Sequence, residues 1–99
     1  MNGPDRDARL KKLTFRAWRR GFREADLILG PFADRHVAEL SEPQLDEFER
    51  LLEVPDADLY AWIIGTAPVP EDYASDVLEL IQSFRLFAHS AIDPASRGA

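Results

Sequence analysis

The chain is 99 residues long, 45% hydrophobic and 30% charged, with no cysteine and a net charge of −6. That size allows one small domain around a single core, and without cysteine there are no disulfides, thiolate metal ligands or cysteine nucleophile. No apolar run approaches the roughly 18 residues of a membrane-spanning helix, and "MNGPDRDARLKK" lacks both an apolar signal core and the serine-rich, acid-poor character of a transit peptide, so a cytoplasmic protein without membrane insertion is expected.

Charge is unevenly spread. Residues 1–23 hold eight cations against two carboxylates, net +6, while the other 76 residues hold four against sixteen, net −12. A basic end on an acidic body fits either an acidic partner at the N-terminal region or a solvated helix face. Nucleic acid is disfavoured, because most of the surface would repel phosphate.

The elements read as helices throughout. Leu10, Leu13, Ala17 and Trp18 share one helical face, and after Gly21 a second segment repeats the period with Ala25, Ile28, Leu29, Phe32 and His36. Gly30-Pro31 is expected to kink or break that segment, since proline removes a backbone donor. In "SEPQ", Ser41 and Gln44 form a capping box ahead of Leu45, Phe48, Leu51 and Leu52. "DADLYAWIIG" reads as a short fourth helix with Asp56 as N-cap, Leu59, Trp62 and Ile63 inside, and Gly65 closing it. A fifth helix is expected to start near Pro70, with Glu71 and Asp72 at its positive end and Tyr73, Val77, Leu80, Ile81, Phe84 and Ala88 on one side. The fold class is therefore all-α, a compact bundle of five short helices over 1–92, with 93–99 as a disordered tail.

Catalytic constellations are missing. His36 and His89 have no partner at metal-ligand spacing; the phase of His36 marks it as a half-buried structural residue, and His89 sits where a helix C-terminal dipole favours it. Asp46, Glu47, Glu49 and Glu53 occupy the solvated face of an amphipathic helix. There is no phosphate-binding glycine loop, so neither cofactor nor metal is expected. Phe15 and Phe22 share a face offset from the apolar stripe, and an exposed aromatic among arginines makes a good interface anchor.

The glycine in "RRGFREAD" remains. Gly21 can end the first helix in the left-handed conformation, and a bare backbone beside Arg20, Arg23 and Glu24 also lets another protein approach the main chain.

"RRGFREADLILGPF" resembles the R-G-x-x-E signature of the succinate dehydrogenase assembly factors that promote covalent flavin attachment. "LSEPQLDEFERLLEVPDADLYAWIIG" is similar to the third and fourth helices of that family, with its D-x-D-L-x-x-W element standing as Asp56, Asp58, Leu59 and Trp62. The likeness covers roughly residues 8 to 88. It implies a five-helix bundle that acts as a non-enzymatic chaperone. Its expected partner is the flavoprotein subunit of succinate dehydrogenase, and in bacteria that of fumarate reductase as well. Arg20, Gly21 and Glu24 match the motif and Asp26 a commonly acidic position; with Phe22 and Arg23 they form the expected partner-binding site. The acidic body and the lack of a targeting peptide suggest a bacterial, cytoplasmic member, expected to be monomeric when free. The rival reading is a small interaction module that grips an acidic partner through its basic first helix.

Overall fold

The computed structural model describes residues 4–92, with side chains over 5–86. Five α-helices follow one another: α1 Pro4–Trp18, α2 Arg23–His36, α3 Glu42–Leu52, α4 Asp56–Ile64 and α5 Asp76–Ile92. One-turn 3₁₀ segments, Val37–Glu39 and Glu71–Tyr73, follow α2 and precede α5. The expected all-α bundle is what forms. The side chains of Ala88 and His89 and the tail at 93–99 lie outside the described residues.

Each helix buries the stripe its period dictates. Leu13 and Ala17 of α1, Leu29 and Phe32 of α2, Phe48 and Leu51 of α3, and Leu59 and Ile63 of α4 are all buried. Phe32 sits at the centre, its ring 5.7 Å from those of both Phe48 and Phe84. Aromatic contacts at such separations stabilise beyond their buried area. The capping box of α3 is complete: Ser41 Oγ accepts from the Gln44 amide at 3.3 Å, and Gln44 Oε1 accepts from the Ser41 amide at 2.9 Å.

Four expectations are corrected. Helix α2 is not broken at Gly30-Pro31; it runs unbroken from Arg23 to His36 with Pro31 inside. Gly30 serves packing instead: a Cβ there would stand 2.2 Å from Trp18 Cδ2, so the indole of α1 packs directly on the Gly30 backbone. Trp18 Nε1 donates to Asp34 Oδ2 at 3.2 Å one turn on. Asp56 is not an N-cap, because Pro55 takes that position without side-chain capping.

Helix α5 begins at Asp76 rather than near Pro70, and Ser75 supplies the cap, its Oγ accepting from the Leu78 amide at 3.2 Å. Tyr73 therefore lies in the 3₁₀ turn, stacked on Trp62 at 5.1 Å with the Arg50 guanidinium 4.2 Å above its ring. Among the described side chains of α5 the buried ones are Val77, Leu78, Ile81 and Phe84, and Leu80 is 44% exposed. The inner stripe passes through Leu78 in place of Leu80.

Candidate functional site

The turn between α1 and α2 is built from Arg19 to Phe22. Gly21 adopts φ +89°, in the left-handed region, where a side chain on an L-residue costs about 1–2 kcal/mol. Left-handed geometry is as expected for a residue that closes α1, although α1 itself already ends at Trp18. Nothing lies within 4 Å of where a Gly21 Cβ would be. Conformation, not crowding, therefore selects glycine, and the backbone there faces open space.

Arg20 fixes the turn from beneath. Its side chain is only 7% exposed. Nη1 donates to Leu52 O at 2.7 Å, Nη2 donates to Val54 O, and Nε forms an ion pair with Asp56 Oδ1 at 2.7 Å without a straight hydrogen bond. One planar guanidinium thus joins the first turn to the end of α3 and the start of α4. Arginine suits this task because its fork offers several fixed donors and keeps its charge. The Arg20 amide donates to Asp26 Oδ1 at 3.0 Å, and the Asp26 amide donates to Phe22 O at 2.9 Å. Asp26 therefore closes the turn that Gly21 opens.

The six residues of the expected site separate by direction. Arg20 and Asp26 work inward, and Phe22 is half-buried with its ring 5.1 Å from that of Tyr60. Gly21, Arg23 and Glu24 are exposed. No i, i+4 pair joins Arg20 to Glu24; Arg20 faces Asp56 instead. Of the two candidate aromatic anchors, Phe15 is the outward one, at 57% exposure. Leu27, absent from the expected site, is 56% exposed. With Trp18, Gly21, Arg23 and Asp26 it lines a hollow of about 410 Å³. Its phase, two residues past Ala25, already places it off the buried stripe.

The basic face of α1 is largely matched within the molecule. Arg6 pairs with Glu42; Arg9 lies 2.6 Å from Asp46 and 3.1 Å from Glu49; Arg16 lies 2.7 Å from Glu53. The ladder ascends on both helices, so α1 and α3 run side by side in the same direction. The hydrogen bond to Asp46, more than any other influence, raises the Arg9 pKa above its ordinary value. Four of the eight cations of residues 1–23 are engaged this way once Arg20 is included, which weakens the reading of α1 as a wholly free basic helix. Asp46, Glu49 and Glu53 are solvent-accessible as expected, but they are also the partners of α1.

His36 is half-buried, its ring 5.3 Å from Phe32 and 5.5 Å from Phe84, with Nδ1 3.4 Å from Glu39 Oε1. It packs as the structural histidine the sequence implied. Among the described residues no cluster of three or more His, Asp or Glu is placed to hold a metal, and no helix is long and apolar enough to cross a membrane.

The molecule is thus a small helical protein whose two sequence elements, R-G-x-x-E and D-x-D-L-x-x-W, meet through Arg20 and Asp56 beneath an open turn. A family model described as the flavinator of succinate dehydrogenase matches residues 11–85. The chain belongs to that family. It is 43% identical over 72 residues to the mitochondrial succinate dehydrogenase assembly factor 2 of Dictyostelium discoideum, covering 73% of this chain and 51% of that protein. It is 37% identical over 71 residues to the FAD assembly factor SdhE of Acetobacter pasteurianus, covering 72% and 65%. To the assembly factor 2 of Meyerozyma guilliermondii it is 36% identical over 84 residues, covering 81% and 62%. The chain spans between about half and two thirds of the length of these relatives.

Proposed function

We propose that this chain binds the flavoprotein subunit of succinate dehydrogenase, and that of fumarate reductase where present, and promotes covalent attachment of FAD to it. It acts as a chaperone, holding the subunit in a conformation that favours bond formation, and supplies no catalytic group or cofactor of its own. Free, it is a monomer of the bacterial cytoplasm.

The observation that carries this reading is the Gly21 turn. Its main chain is bare, held at φ +89° with open space above it, and Arg23 and Glu24 stand exposed on one side. A partner's backbone can approach such a turn closely, and the two charges of opposite sign give it register. Arg20 contributes from below: its bonds to Leu52, Val54 and Asp56 keep the turn in one conformation, which lowers the ordering cost of binding.

The reading is tested by mixing the purified protein with the isolated flavoprotein subunit and following co-elution on a sizing column. Wild type is expected to co-elute. Glu24→Arg, a reversal at an exposed position, is expected to abolish the complex while helical circular dichroism is retained. Co-elution of that variant at wild-type yield would place the contact elsewhere on the molecule.

A further inference from the structure

The eight cations of residues 1–23 fall into two sets. Arg6, Arg9, Arg16 and Arg20 each lie within 4 Å of a carboxylate of α3 or α4. Lys11, Lys12, Arg19 and Arg23 are all exposed, and among the described residues none is paired. Three of these four stand around Phe15 at helical spacing: Lys11 and Arg19 at i±4 and Lys12 at i−3. The Arg19 guanidinium lies 4.2 Å from the Phe15 ring centroid, so an aromatic face and a planar cation form one unit. Phe15 also stands as a ridge between two hollows. One, about 300 Å³, continues past Arg16, Arg19 and Arg20 to Asp56; the other, about 420 Å³, runs along Lys11 and Thr14 to Ala33 and Asp34. Of the carboxylates bordering them, Asp56 is held by Arg20 and Asp34 accepts from Trp18.

Phe15, 57% exposed, is a large aromatic largely left in water beside unmatched cations, outside the buried core. We propose that this outward face of α1, Phe15 stacked by Arg19 with Lys11 and Lys12 beside it, is a second docking element. It seats on an acidic surface of the flavoprotein subunit that offers an apolar recess to the Phe15 ring. The proposal rests on the binding role put forward above and extends it: the contact continues from Gly21 up α1, the two elements six residues apart in sequence. Charge complementarity identifies the occupant. Four of the eight cations pair with the chain's own carboxylates, and three of the four left over are exposed around the aromatic. Aromatic and arginine side chains dominate the energetics of interface centres, and peripheral cations govern the approach rate.

The test is the dissociation constant of the full chain for the purified flavoprotein subunit, measured at low and at physiological salt. Phe15→Ala is expected to weaken binding about tenfold or more. Arg19→Glu is expected to slow association and to flatten the salt dependence. Leu80→Ala removes an exposed apolar side chain on α5 and should leave affinity unchanged. Circular dichroism confirms that each variant is folded. Binding by Phe15→Ala and Arg19→Glu within about twofold of wild type, with Glu24→Arg inactive, would overturn the proposal and leave the Gly21 contact standing. Failure of the wild type to bind the subunit would overturn both.

Discussion

Arg20 and Asp56, 36 positions apart in the chain, meet at 2.7 Å and tie the turn between α1 and α2 to the start of α4. The arginine of R-G-x-x-E thereby holds the first acid of D-x-D-L-x-x-W. Its Nη1 and Nη2 meanwhile satisfy the carbonyl of Leu52, which α3 leaves free at its end, and that of Val54 in the link to α4. The side chain that R-G-x-x-E puts next to the glycine is thus an internal brace for the exposed residues beside it.

Removal of that brace should be costly. Arg20→Ala leaves two carbonyls and a partly buried carboxylate without their donor, and the expected loss is about 2 kcal/mol. For a domain this small that corresponds to a fall in Tm of roughly 8–16 °C. Arg20→Lys should recover little, because a single ammonium cannot reproduce the fork. Asp56→Asn should cost less than 1 kcal/mol or so, since the aspartate is a third exposed and solvent screens the pair. Thermal melts followed by circular dichroism give the order directly; Arg20→Ala melting with the wild type would refute the bracing role.

Gly30 makes the opposite demand from an ordinary helix glycine. Alanine in a helix interior normally stabilises by about 1 kcal/mol. Here the new Cβ would fall 2.2 Å from Trp18 Cδ2 and 2.4 Å from Cε2, so the indole must move off α2 and its bond to Asp34 must stretch. Gly30→Ala is expected to destabilise by about 1–3 kcal/mol and to alter the tryptophan emission spectrum. A rise in Tm would show that Trp18 is free to yield.

The ladder between α1 and α3 is a matter of salt. Its carboxylates are substantially exposed, so each pair contributes little, and Arg9→Gln should cost about 0.5–1 kcal/mol. The difference from wild type should shrink in 1 M salt, where screening acts over about 3 Å. Because the Arg9 pKa is raised, its contribution is complete below the ordinary arginine value and is lost only as pH climbs through the higher folded one. Stability should thus show no alkaline step from this residue across the neutral range. Urea titrations at two salt concentrations and two pH values check both statements.

The fold was legible where a pattern is local. Four helices, the Ser41–Gln44 box and the left-handed Gly21 and Gly65 follow from period and end signals alone. The start of α5 was masked by a competing signal: Pro70 followed by two acids imitates a helix entrance, whereas Ser75 provides the cap and Tyr73 is drawn onto Trp62 and Arg50 by tertiary contact. Asp56 has the residue type of a cap, and only the placement of Arg20 shows its other use. Gly30-Pro31 reads as a break because the indole that needs the glycine comes from another helix. The ion ladder was half visible. Arg6, Arg9 and Arg16 share one face of α1, as Glu42, Asp46, Glu49 and Glu53 share one side of α3 and its end, but nothing in one stripe announces that it faces the other. At the candidate site, the motif singles out one turn, and only the structure separates its outward Gly21, Arg23 and Glu24 from its inward Arg20, Phe22 and Asp26.

The most direct measurement of the central claim is covalent flavin content, read as in-gel fluorescence of the flavoprotein subunit of succinate dehydrogenase. It should be made in cells that lack their own assembly factor and are complemented with this chain or with Gly21→Arg. That variant bears about 1–2 kcal/mol of backbone strain, but its Cβ meets no atom within 4 Å beyond its chain neighbours and the position is exposed, so it should fold, as circular dichroism of the purified variant can verify. The account predicts fluorescence restored by the wild type and absent with folded Gly21→Arg. Equal fluorescence with both proteins, or none with the wild type, would contradict it.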